Sequence, residues 1–141
     1  MRDFGTGKVK PISPEGYRLF SARACPDGHS VAVTGPDKKP YLYPLAGGEP
    51  VPIAGVDVRE RFCGWRPDGK SAYVQSIGAL PGNVWIVDIA TGQRKLWKQL
   101  VPADASGVTS TGSIRVTPDG SAYVYSYVRN LADLYVVEGL A

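Results

Sequence analysis

The sequence holds one histidine, two cysteines, one methionine and three phenylalanines in 141 residues. A lone His and two distant cysteines, Cys25 and Cys63, cannot supply the ligands of a zinc site within one chain. A disulfide between them is arithmetically possible, but two cysteines make no framework, and two free, half-buried thiols are the expectation. No Lys/Arg run exceeds two residues and the formal charge is only +3. The electrostatic footprint of a nucleic-acid binder is therefore missing. No apolar stretch approaches the roughly eighteen residues of a membrane span, and residues 1–8 contain no apolar signal-peptide core. A cytoplasmic setting is then the default expectation, with no nucleic-acid or membrane partner. The Gly-x-Ser-x-Gly elbow of hydrolases is absent. Gly5-Thr6-Gly7-Lys8 fails the spacing of a phosphate loop, and no helix follows it.

What is abundant is punctuation. Seventeen Gly and twelve Pro are scattered singly through a chain that is 43% hydrophobic and 21% charged, which describes a turn-rich globular fold rather than a disordered tract. The tripeptide Pro-Asp-Gly occurs at Pro26-Asp27-Gly28, Pro67-Asp68-Gly69 and Pro118-Asp119-Gly120, at intervals of 41 (68−27) and 51 (119−68) residues. Each is followed by a β-prone run: Ser30-Val31-Ala32-Val33, Ser71-Ala72-Tyr73-Val74 and Ser121-Ala122-Tyr123-Val124, the third lacking one residue after its Gly. A second turn repeats with a similar period, closing on Gly7, Gly48 and Gly92. In Pro-Asp-Gly the proline presets the first turn dihedral, the aspartate bonds back to the backbone and the glycine takes the left-handed conformation. Each copy therefore joins two antiparallel strands.

A period of about 40 to 50 residues is that of a four-stranded propeller blade. The runs between turns are β-branched and aromatic without helical periodicity, as in Asn83-Val84-Trp85-Ile86-Val87-Asp88-Ile89, so the predicted class is all-β: about three four-stranded antiparallel blades of a partial or half β-propeller. Predicted strands fall at 18–25, 29–34, 40–46 and 49–53; at 58–66, 70–77, 83–89 and 93–99; and at 112–117, 121–128 and 133–138. The whole chain, 1–141, is read as one propeller segment. Residues 1–14 hold an outer strand, Val9-Lys10-Pro11-Ile12, of a preceding or ring-closing blade; 15–55 and 56–103 are blades; 104–141 is a blade without its outer strand.

The stretch Arg66-Pro-Asp-Gly-Lys-Ser-Ala-Tyr-Val, with Val84-Trp-Ile-Val-Asp-Ile-Ala-Thr-Gly after it, resembles the TolB-like, WD-repeat-like propeller repeat. Ser126-Tyr-Val-Arg-Asn-Leu-Ala-Asp-Leu-Tyr-Val-Val-Glu-Gly-Leu is similar to the tail of propeller regions attached to bacterial eukaryotic-like serine/threonine kinases and winged-helix regulators. The resemblance covers about residues 3–140. It implies the C-terminal part of a sensory or signalling protein, and carries over neither kinase nor DNA-binding residues.

Candidate chemistry is sparse. His29 follows a turn and is expected to be exposed; a Cys25/His29 nucleophile pair would lack an orienting third group. Asp27, Asp68 and Asp119 are explained by turn chemistry, and no metal is expected. Arg23 and Arg115 stand three residues before the turn prolines, where the second repeat has Gly64, which leaves room. With Arg59 and Arg61 they are candidates to line a central channel and grip an anion or an acidic peptide end. Tyr73, Tyr123 and Trp85 are expected to pack between blades. The function expected is a non-catalytic propeller module, without cofactor, for protein–protein or ligand binding. Its partner is a protein, a peptide or further blades, including a homodimer that completes a six-bladed ring. The alternative is the propeller domain of a prolyl-oligopeptidase-like hydrolase whose catalytic residues lie elsewhere.

Overall fold

The computed structural model describes residues 5–9, 11, 13, 15–136, 138 and 139, and for residues 18–23 the strand without the side chains. Among them there is no helix, only ten strands in three separate antiparallel sheets that do not close into a barrel. Sheet I orders β1 (Arg18–Ala24), β2 (Ser30–Thr34), β3 (Pro40–Pro44) and β4 (Val51–Pro52); sheet II orders β5 (Glu60–Trp65), β6 (Ser71–Ser76), β7 (Gly82–Asp88) and β8 (Arg94–Leu100). Sheet III has β9 (Val108–Val116) and β10 (Tyr123–Arg129). Each sheet follows chain order because hairpins connect neighbours.

Sheet II lies between the other two. Its first strand, β5, neighbours both β1 and β9. Phe62, Trp65, Ala72, Val74 and Val87 pack with Cys25, Ala32 and Ile53 of the first sheet and its connection. The alternate positions Cys63, Tyr73, Val84 and Leu100 pack with Ile114 and Val116 of sheet III. Period-two alternation thus serves two interfaces, which is why Ser71 to Gln75 are all buried.

One predicted strand is not recovered. Residues 133–136 join no strand, and Val137 lies outside the described residues. The reason is next door: β10 stays paired through Arg129, opposite Val108, and Asn130 N–H donates to the Gly107 carbonyl (2.9 Å), so the chain does not reverse where β6 gives way to β7. The outer strand at residues 9–12 falls partly outside the described residues, which exclude Lys10 and Ile12.

The third repeat corrects a second expectation. Its missing residue suggested that Tyr123 repeats the role of Tyr73. All three hairpins instead close over the same number of residues, with Cys25 N–H on Ser30 O, Arg66 N–H on Ser71 O and Thr117 N–H on Ala122 O. Tyr123 therefore pairs with Val116 as Ala72 pairs with Trp65. A one-residue slip exchanges the faces of a strand, so Tyr123, Tyr125 and Tyr127 turn back toward sheet II. They extend a ladder of rings from buried Tyr73 through Trp97, at centroid separations of 5.1 to 6.4 Å.

A fourth turn of the same kind joins β2 to β3. Pro36-Asp37-Lys38 closes with Lys38 N–H on Gly35 O, and Lys38 takes the place of the turn glycine at φ +67°. An L-residue in that conformation costs about 1–2 kcal/mol, offset in part by the greater unfolded-state freedom of glycine. Lys38→Gly should stabilise the chain by about 0.5–1 kcal/mol and raise the midpoint of a thermal melt by a few degrees.

Candidate functional site

The repeated aspartates are occupied within their own turns. Asp27 accepts from His29 N–H (2.8 Å), and Asp68 accepts from the backbone of Lys70 and Ser71 and from the Ser71 hydroxyl. Asp119 accepts from the Thr117 hydroxyl (2.6 Å) and from the Ser121 N–H and hydroxyl. The Thr117 hydroxyl, then the Ser121 donors, hold the Asp119 carboxyl down at about 2. The His29 N–H lowers Asp27; at Asp68 burial pushes upward but the Ser71 donors prevail. Gly28, Gly69 and Gly120 complete these turns at φ +63° to +73°, and Gly48 and Gly92 close the other set at positive φ. Among the described residues no three of His, Cys, Asp and Glu gather into a metal-binding group.

These carboxylates make stability pH-dependent, with a definite sign. Their folded-state pKa lies below the ordinary value of 3.8. The stabilisation is complete above the unfolded value and is lost as pH falls through the folded one. The melting temperature should drop between about pH 4 and about pH 2, and Asp119→Asn should drop less over that window. Equal slopes for the two proteins would show that the Asp119 bonds add nothing.

The arginines are distributed over the first strands of the sheets. Arg61 lies on β5 opposite Gln75, Arg59 is exposed just before it, and Arg115 is exposed on β9, donating to its own neighbour's carbonyl at Ile114 (2.8 Å). Arg23 is on β1 and its side chain lies outside what is described. The expected vacancy at Gly64 is filled: a Cβ there would stand 2.7 Å from the Val116 carbonyl oxygen and within 4.0 Å of Tyr73. Glycine at this point on β5 lets the backbone of β9 approach.

Among the described side chains, Glu60 pairs with Arg94 rather than with Arg59, Arg61 or Arg115. Its carboxylate is nearly enclosed, with 7% of the side chain exposed, and meets Arg94 of β8 at 2.6 Å while also accepting from Asp57 N–H (3.0 Å). Arg94 stacks on Trp85, 4.5 Å from the ring centroid. Glu60 also borders a cleft of about 530 Å³ between sheets I and II, with Thr34, Lys38, Asp57, Val58 and Ile77. Lys38 and Arg94 carried no signal in the repeat, since one replaces a glycine and the other finds its partner more than thirty residues away.

Gln75 was equally invisible in the sequence. It is 1% exposed, and its amide spans two sheets: Nε2 donates to Gly112 O and Oε1 accepts from Ile114 N–H, both at 2.7 Å. Cys63 Sγ approaches the same oxygen at 3.5 Å. One side chain thus stands in for a strand neighbour of β9.

Both thiols are buried, and the two are not joined in a disulfide. Cys25 Sγ faces the Gly69 carbonyl at 3.6 Å, and burial raises its pKa. A nucleophilic thiol needs the opposite shift. His29 is exposed in its turn. The disposition of charges and hydrogen bonds supplies turns and sheet-to-sheet contacts. No family model matches the chain, and no curated protein matches it.

Proposed function

We propose that the chain is a run of three β-propeller blades and works as a non-catalytic binding module. The observation that carries this reading is the stacking of the sheets through their first strands. β1, β5 and β9 stand side by side, and the middle sheet is covered on both faces by its neighbours. A propeller would repeat this contact around its axis, and would continue it through further sheets. Val124 and Val128 on sheet III, 66% and 50% exposed, belong to the face that such a sheet would cover. The covering blades come from the same protein or from a second copy completing a ring. Arg23, Arg59, Arg61 and Arg115, on or next to the inner strands, are the groups available to an anionic or acidic-peptide ligand.

Negative-stain averages of the purified protein, together with small-angle scattering, test the architecture. An arc or ring of wedge-shaped blades around a hole is the expected image, and a solid particle without a hole would overturn the reading. The binding role is tested by titrating an acidic peptide against labelled chain. Shifts confined to β1, β5 and β9, lost in Arg59→Ala/Arg115→Ala, support it. Turnover of ester or peptidyl substrates by the purified chain would contradict it.

A further inference from the structure

Among the described residues β10 is paired along one edge only. Its partner is β9, and among the described residues nothing pairs with its other edge. An unpaired edge is a template for another strand. Immediately beyond it, Leu131, Leu134, Tyr135 and Val136 are 81% to 94% exposed and join no sheet. An open edge and a strand-forming segment therefore adjoin in the chain without being joined in space.

Sheet II shows how such a segment sits. Leu134-Tyr135-Val136 answers in sequence to Val84-Trp85-Ile86 of β7, which pair with Gln75, Val74 and Tyr73 of β6. The equal hairpins put Ser126, Tyr125 and Val124 where those three stand. The corresponding register sets Leu134 opposite Ser126, Tyr135 opposite Tyr125 and Val136 opposite Val124.

The chain's own segment cannot reach that register. β10 runs straight along β9 through Arg129, anchored by the Arg129–Asp104 ion pair (3.0 Å) and by Asn130 N–H on Gly107 O. Two residues make the shortest reversal. A return from Asn130 would then place Asp133 opposite it and Tyr135 opposite Val128, with the faces exchanged. In sheet II the reversal uses Gly78, at φ +69°, and Pro81; Val128-Arg129-Asn130-Leu131 contains neither residue type.

A second copy meets no such obstacle. With Tyr135 opposite Tyr125, Asn130 falls opposite Asn130 of the other copy, so one two-fold axis satisfies both edges at once. We infer that two copies of this chain exchange residues 131–136 reciprocally, each segment adding as a third strand to the open edge of the other's β10. The contact uses the edge of sheet III, not its outer face, and so goes beyond the binding-module reading and stands apart from it.

Asn130→Cys tests the register, because directly opposed antiparallel positions match the Cα separation of a disulfide. Cys25 and Cys63 are buried, which keeps the background low. Under mild oxidation Asn130→Cys should link into a dimer of about twice 15.1 kDa. Leu134→Cys alone should not, whereas chains carrying Ser126→Cys mixed with chains carrying Leu134→Cys should. Tyr135→Pro, at an exposed position, should return the light-scattering mass to one chain, with a thermal melt equal to that of the parent at dilutions where the parent is a single chain. A single-chain mass for the parent protein at high micromolar concentration overturns the exchange. So does a dimer in which Asn130→Cys stays unlinked or Tyr135→Pro has no effect; that dimer would be built through sheet faces, and the propeller reading would survive it.

Discussion

Replacing Gln75 with leucine is expected to destabilise the chain by about 3–4 kcal/mol and to free sheet III ahead of the rest. The amide satisfies the Ile114 N–H and the Gly112 carbonyl. Leucine fills similar volume, so the loss isolates the two orphaned backbone groups, each costing about 1–3 kcal/mol where water cannot reach. Ile114 is 0% exposed, so its N–H has no solvent to turn to. Urea denaturation should show a lower midpoint, and hydrogen exchange at the Ile114 amide should accelerate far more than at Val74 or Val87. Gln75→Glu gives the matching pH signature. Its carboxylate would oppose the Gly112 carbonyl oxygen at neutral pH, while the protonated acid can donate to it. That variant should regain stability as pH falls toward about 4, where the parent gains none. An unshifted urea midpoint for Gln75→Leu would mean that β9 does not depend on this bridge.

Gly64→Val is expected to cost about 2–4 kcal/mol through the same interface. The obstacle is backbone: the Val116 carbonyl, 2.7 Å from where the Cβ would be, cannot swing aside as a flexible side chain would. Sheet III must retreat, straining the Gln75 bonds. Gly78→Ala is the control, since nothing lies within 4 Å of its Cβ and only its φ of +69° resists. It should lose about 1 kcal/mol. Because Gln75→Leu and Gly64→Val both part the same two sheets, their combined effect should fall short of the sum, measurable as a coupling in a double-mutant cycle. Full additivity would place the two residues in separate interfaces.

Much of the β architecture was legible because its signals are local. Pro, Asp and Gly act within a few residues, so Pro26-Asp27-Gly28 and its two counterparts announced hairpins that the structure contains. The strands between them followed from β-branched and aromatic runs. The Pro36-Asp37-Lys38 turn escaped notice because a lysine occupies the glycine's conformation. Gln75 escaped because a polar residue within a strand is read as a solvent-facing position, and nothing nearby reveals that Gly112 and Ile114 will lie across from it. Gly64 was taken for open space since a missing side chain says nothing about which backbone arrives there. The strand expected at 133–138 failed on competition: the pairing of Tyr127, Val128 and Arg129 with β9 occupies the residues needed to turn back.

The sequence by itself determined that this is a repeated all-β chain, where the three Pro-Asp-Gly hairpins turn and which runs of sheets I and II form strands, since these depend on dihedral preferences and on hydrogen bonds a few residues apart. Tertiary structure alone decided which face of each strand is covered, that Tyr123 takes the place of Ala72 rather than Tyr73, and that Gln75 joins two sheets. It also decided that, among the described residues, one edge of β10 stays open. Those outcomes rest on register and close approach between segments far apart in the chain. A one-residue change in hairpin alignment reverses every side chain after it, and no local preference records which backbone will lie opposite.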